Sequence, residues 1–251
     1  PLAALPSNSP TFKVVKSVLA ALNVSEPPPC NLTITSTIPI ASGLGSGAAV
    51  AVAIIRALSA FLGHPLPNER VSALAYEVEK IHHGTPSGID NTVVTYEKPV
   101  YFIKDQPPAP FSILKPFTLL IGDTGIPTPT KEAVGDVRQA WLTEPKRYDQ
   151  LFAAVGDIAR SARQAIESGQ PQDLGPLMNE NHKLLQAMDV SSPELDQLVD
   201  AARQAGAPGA KLSGGGRGGN MIALAEEDQE NIIAQAIKQA GAVRTIITKV
   251  K

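Results

Sequence analysis

Glu79-Lys80-Ile81-His82-His83-Gly84-Thr85-Pro86-Ser87-Gly88-Ile89-Asp90-Asn91 sets two carboxylates on either side of a tight, glycine- and proline-bearing turn. The residues leading into it, Asn68 to His82, have Val71, Leu74, Val78 and Ile81 at helical spacing, which predicts a helix with Asn68 as its cap. At 100° per residue, Glu77 and Glu79 point about 200° apart, so only one of them can face a site, while Glu79 and His83 share a side. Glu79 and Asp90 then flank the turn, an arrangement suited to a metal ligand and a base that accepts a hydroxyl proton. The same residues also fit a solvated helical glutamate and a turn aspartate bonded to its own backbone. The adjacent histidines do not suggest a metal site: neighbours on a helix diverge, and the chain holds four histidines and one cysteine.

Upstream, Asn31 to Pro39 alternates, with Leu32, Ile34 and Ile38 on one face and Thr33, Thr35 and Thr37 on the other, which predicts a half-buried strand. A glycine-rich turn over Gly43 to Gly47 and an apolar helix over Ala48 to Leu62 follow, after an earlier helix over Thr11 to Leu22. In Pro39-Ile40-Ala41-Ser42-Gly43-Leu44-Gly45-Ser46-Gly47-Ala48-Ala49 the glycines let backbone N–H groups converge on an anion at the positive end of the helix behind them. An ordinary strand-to-helix turn has the same composition. No Gly-Lys-Ser/Thr follows, so this is not a Walker loop.

Downstream, Thr92 to Tyr96 and Val100 to Ile103 read as strands, and QPPAP near residue 108 as a connector. Phe117 to Asp123 reads as a strand, and helices are expected at about 130–142, 149–168, 171–188 and 192–205, the last opened by Ser192, Pro193 and Glu194. Lys211-Leu212-Ser213-Gly214-Gly215-Gly216-Arg217-Gly218-Gly219-Asn220 leads into a strand, MIALA, then an amphipathic helix to Ala240 and a strand-like VRTIITKV. A flexible linker is not usually left by such a strand, so a second backbone nest is expected there.

The 251 residues suffice for one large domain or two modest ones. A net charge of −2 leaves no global basic field to draw the chain to nucleic acid. The most apolar run, Ala48 to Leu62, is shorter than the roughly 20 residues a bilayer requires and contains Arg56. No membrane role is expected. Cys30 cannot form an internal disulfide, and PLAALPSNSP lacks a signal-peptide pattern, so the cytoplasm is the expected location.

Together the three motifs resemble those of the galactose, homoserine, mevalonate and phosphomevalonate (GHMP) small-molecule kinase superfamily. PIASGLGSGAA is similar to its central phosphate-binding motif and KLSGGGRGG to its C-terminal glycine motif, while HGTPSGIDN resembles the mevalonate kinase branch. The resemblance implies a two-lobed α+β fold, with a ribosomal-S5-like N-terminal lobe over residues 1–115, its start missing, and a ferredoxin-like C-terminal lobe over residues 116–251. It implies transfer of the γ-phosphoryl of ATP, with Mg²⁺, to the hydroxyl of mevalonate. By position it makes Asp90 the catalytic base and Glu79 a magnesium ligand, with Ser46 a second. Gly43, Leu44, Gly45, Ser46, Gly47, Ala48, Gly214, Gly215 and Gly216 would bind the nucleotide, and His83, Ser87, Gly88, Asp90 and Gly215 the substrate. A homodimer is a further expectation.

Two departures stand out. The family usually has two serines after GLG, whereas here Gly47 follows Ser46, so water or Ser46 itself would complete the metal site. The opening motif resembling PGRxNLIGEH is not in this chain, so the lysine that it brings near the transferred phosphate has no counterpart here. This chain alone is therefore expected to be weakly active and prone to aggregate through an exposed strand edge at 31–39. The alternatives are a related kinase with another small alcohol as acceptor, for which Arg217 could pair with a substrate anion or stay solvated, and a ligand-sensing relative without turnover. At lower weight, His83 faces the site or bonds a carbonyl, Thr128 and Thr130 contact substrate or cap the next helix, and Trp141, Tyr148 and Phe152 pack rather than bind adenine.

Overall fold

The computed structural model describes residues 6–7, 9–26, 29–38, 44–83, 86–103, 106–128 and 130–251, without the side chains of residues 81–83. These form two compact units, residues 1–111 and 112–251. Among the described residues no helix is long and apolar enough to cross a membrane.

The first unit is built on helices α1 (Pro10–Ala21), α2 (Ser46–Phe61), α3 (Asn68–His83) and α4 (Ile89–Tyr96). Val14, Val15, Val18 and Leu19 of α1 meet Ala51, Val52, Ile54, Ile55 and Leu58 of α2 and Val71, Ala75 and Val78 of α3 in one core. The helical spacing read from the sequence accounts for this stripe. Half-buried Arg56 of α2 donates from Nη2 to Asn68 Oδ1 at 3.0 Å and to the Thr95 carbonyl at 2.6 Å. Asn68 is therefore the first residue of α3 and an acceptor for Arg56, not its cap; the first turn instead bonds the Pro67 carbonyl.

Two expected strands are not formed. Residues 31–37 take no regular structure, and Leu32 and Ile34 remain 44% and 46% exposed. Alternation yields a strand only where a neighbour supplies the ladder, and among the described residues none pairs with this segment. The TVVTY stretch is the body of α4: Gly88, at φ 84°, turns the chain into it, and the Thr92 hydroxyl donates to the Gly88 carbonyl at 2.6 Å. Packing of Thr92 and Thr95 inward overrides their preference for strands. The QPPAP connector contributes β2 (Ala109–Pro110), which pairs antiparallel with β1 (Val100–Tyr101).

In the second unit β3 (Phe117–Asp123) is central to an antiparallel sheet ordered β4-β5-β3-β6, with β4 at Ala210–Ser213, β5 at Asn220–Ala225 and β6 at Arg244–Val250. Helices α5 (Thr130–Thr143), α6 (Pro145–Glu167), α7 (Leu174–Ala187) and α8 (Pro193–Gln204) lie between β3 and β4, and α9 (Glu230–Gln239) between β5 and β6. This βαββαβ order is the ferredoxin-like arrangement. One sheet face, with Leu120, Leu212, Met221 and Ala223, packs on Leu195, Leu198 and Val199 of α8 and Ile233 and Ile237 of α9. On the other, Leu224 and Ile222 meet Ala165 of α6 and Leu174 and Met178 of α7. Tyr148 is buried and tilted against Phe152, while the Trp141 indole N–H reaches out to Asp149 at 2.9 Å.

Candidate active site

In the first unit, Gly45 precedes α2 with φ 67° and ψ 21°, and among the described residues no side chain caps the helix. Its carbonyl accepts from Ala49 N–H at 2.9 Å, the first bond of the helix, which leaves the amides of Ser46, Gly47 and Ala48 without intrahelical partners. Such an uncapped start is an anion site by geometry and dipole. A Cβ at Gly45 would stand 3.7 Å from Asp90 Cγ, so the base of α2 and the first turn of α4 touch at this point. Gly43 lies outside the described residues, as do Pro39 to Ser42. Leu44 and Ser46 are partly exposed, Gly47 is open to solvent, and Ala48 is buried.

Glu79 reaches the same place from α3. Burial, reinforced by the negative charge of Asp90, raises its carboxyl from the ordinary 4.5 to about 7. Among the described residues no basic side chain makes an ion pair with Glu79 or Asp90. Two acids held together without a counter-charge are a receptacle for a cation. The side chain of His83 lies outside the described residues. The Ser87 hydroxyl accepts from Ile89 N–H at 3.2 Å, so it is engaged at the start of α4, and Gly88 is wedged against Tyr76 and Phe102, where a Cβ would stand 3.5 Å from each.

Sequence reading passed over the groups that fix Asp90. Asn91, buried beside it, donates from Nδ2 to the Ser72 hydroxyl at 2.8 Å and to the Ser72 carbonyl at 3.2 Å. Ser72 and Glu79 lie two turns apart on one face of α3, so this bond ties α4 to the face that carries Glu79. The signal was present as an asparagine directly after the aspartate, but its partner is nineteen positions away.

In the second unit the glycine loop runs from β4 to β5. Gly214, at φ 90°, is exposed and has open space where a Cβ would sit. Its neighbours are glycine for packing: a Cβ at Gly215 would come within 2.6 Å of Thr130 Oγ1, one at Gly216 would collide with the Val190 carbonyl, and one at Gly218 would meet the Ile126 carbonyl at 2.8 Å. Gly216 is buried, so Gly214 and Gly215 are the members of this loop best exposed to a ligand. Thr128 and Thr130 form a wall against the loop. Arg217 is neither solvated nor free for a substrate anion: it pairs with Asp136, and its Nε donates to the Asp189 carbonyl at 3.0 Å.

The chain matches the model of the GHMP kinases N terminal domain over residues 11–98 and that of the GHMP kinases C terminal over residues 162–243. It is 42% identical over 226 residues to a mevalonate kinase of Pyrococcus horikoshii, covering 88% of this chain and 66% of that protein. With a mevalonate kinase of Aeropyrum pernix it shares 37% identity over 225 residues, covering 89% of this chain and 69% of the relative. The chain belongs to the mevalonate kinase family. Its fold agrees: the crystal structure of L. major mevalonate kinase in complex with R-mevalonate superposes with a TM-score of 0.82 at 32% identity, over 98% of this chain and 77% of the other. The Methanococcus jannaschii mevalonate kinase superposes with a TM-score of 0.77 at 27% identity, over 96% and 74%. The chain spans about two thirds, 66%, of the length of the first mevalonate kinases it matches.

Proposed function

We propose that this protein is an ATP-dependent kinase that phosphorylates the C5 hydroxyl of mevalonate, giving mevalonate 5-phosphate for isoprenoid synthesis. The observation that carries the reading is the meeting of Asp90 and the uncapped start of α2 at Gly45, with Glu79 close enough for its carboxyl to feel the Asp90 charge. The first amides of α2, which have no intrahelical partners, would bind phosphate oxygens, and Asp90 would orient the substrate hydroxyl and take its proton as the oxygen attacks the γ-phosphorus and ADP leaves.

The residues present fit Mg²⁺. Among the described residues no cluster of three His, Cys, Asp or Glu forms, so an ion held by Glu79, with Ser46 as a second ligand, would complete its shell with phosphate oxygens and water. When bound, the ion neutralises charge on the phosphates. Engagement of Arg217 by Asp136 and Asp189 speaks against its serving as an extra anion receptor for a phosphorylated acceptor. The reading carries with it a cytoplasmic setting and a homodimer, the latter checked by sedimentation velocity.

The test is a coupled ADP-release assay on the full-length protein with mevalonate, phosphomevalonate and other small alcohols. Turnover on mevalonate at least about a hundredfold above the other acceptors is expected. Asp90→Asn should lower kcat by a factor of at least about a hundred while nucleotide affinity stays within a few-fold. Full activity of Asp90→Asn would remove Asp90 from the chemistry, and nucleotide binding by calorimetry without any phosphorylated product would favour a sensor.

A further inference from the structure

One edge of β4 pairs with β5; along the other, the outward backbone groups meet side chains of α7 and α8. Ala210 N–H donates to Asn179 Oδ1 at 3.1 Å, the Ala210 carbonyl accepts from Arg203 Nη2 at 2.8 Å, and Leu212 N–H donates to His182 Nδ1 at 3.3 Å. Asn179 and His182 are three apart on α7 and share one face, so the helix offers acceptors spaced like those of a neighbouring strand. Alternation along β4 makes Gly214 the next outward position. There the rail of side chains ends and the exposed glycine loop begins.

His182 is 1% exposed and lies outside the residues given a role above. Its Nε2 stands 3.1 Å from Asp196 Oδ1 in the first turn of α8, and Asp196 in turn accepts from the Ser191 hydroxyl. A ring that accepts at Nδ1 carries its proton on Nε2, which lies close to that carboxylate without making a hydrogen bond to a described residue. The charged groups around it are Asp196 and Arg203 of α8 and Lys211 of β4; burial pushes the ring's pKa down from its ordinary value, Asp196 opposes this, and Arg203 and Lys211 add to it.

We propose that His182, with Asn179 beside it, is a positioning residue: its Nδ1 lone pair fixes Leu212 N–H and so sets the register at which β4 delivers Gly214 and Gly215 to the nucleotide phosphates. The consequence for phosphate binding rests on the kinase reading; the clamp on Leu212 does not. A buried imidazole serves here because a loop that must stay open toward a ligand cannot be continued by a further strand. The side-chain acceptor ends the ladder on the last outward-facing residue before the loop.

The experiment compares the wild type with His182→Asn, which keeps an acceptor near the Nδ1 position, and His182→Phe, which keeps a ring and removes it. Hydrogen exchange should accelerate by about tenfold over residues 212–216 in His182→Phe and stay near wild type in His182→Asn. The KM for ATP should rise by about tenfold in His182→Phe with kcat at saturation within a few-fold, and recover in His182→Asn. Nitrogen chemical shifts of the wild-type imidazole at neutral pH should report an Nε2–H tautomer, a measurement that needs no variant to fold. Unchanged loop exchange in His182→Phe, equal acceleration in both variants, or an Nδ1–H tautomer would each overturn the clamp. Altered exchange and the expected tautomer in a protein without kinase activity would sustain the clamp and sink the kinase reading alone.

Discussion

Lys211 sits on β4 with its ammonium folded onto the Leu212 carbonyl at 2.6 Å, and among the described residues no carboxylate forms an ion pair with it. Desolvation lowers its pKa from 10.5 to about 8. Between those values the unfolded chain holds the proton that the folded one has released, so stability rises with pH through this window and the full cost is felt below pH 8. Lys211→Met should therefore stabilise the protein at pH 7 by on the order of 1–3 kcal/mol, with a gain that shrinks toward pH 10. Urea melts at the two pH values read this directly, and a pH-independent difference would mean that packing alone is at work. Glu79 presents the opposite charge in a similar predicament. Glu79→Gln should raise the thermal stability of the metal-free protein by a few degrees and lower turnover by at least about tenfold, since it removes both a repulsion and a cation ligand. Calorimetry and the coupled assay are the two readouts, and a loss of stability would show that the carboxylate is paired.

At the scale of elements, α4 shows how a few contacts override a local preference. A run of threonine and valine has the β-branched composition of a strand, yet Gly88 starts a helix, Thr92 bonds back to it, and Asn91 lashes it to Ser72 of α3. Gly88→Ala should destabilise the first unit by about 1–3 kcal/mol, because alanine is strained at φ 84°. Denaturant unfolding followed by tyrosine fluorescence measures it. By contrast α8 forms where its sequence says: the Ser192 hydroxyl accepts from Leu195 N–H at 3.3 Å ahead of Pro193 and Glu194. Ser192→Ala should cost about 1 kcal/mol, seen as a lower midpoint in urea at an unchanged slope.

For the whole molecule, residues 112–251 hold a closed βαββαβ set with cores on both faces of the sheet. Expressed alone, they should unfold cooperatively, with a single thermal transition by circular dichroism; a gradual, non-cooperative loss of signal would show that this unit needs other residues. The strand at Phe117–Asp123, the helices of the second unit and the α1–α3 stripe were legible in the sequence because period and punctuation are local properties. So was the pairing of Glu79 with Asp90 as a candidate site, since a short turn joins them. What the sequence alone determined is thus helices α1 to α3 and α5 to α9, strands β3, β5 and β6, the motifs and the superfamily they resemble. Tertiary structure decided the rest: the helical state of residues 89–96, the absence of a ladder at 31–37, the capture of Arg217 by Asp136 and Asp189, and the His182 acceptor beneath the glycine loop. Each depends on a partner distant in sequence, and the energy of a hydrogen bond or an ion pair is fixed by where that partner stands and how much water is excluded between them.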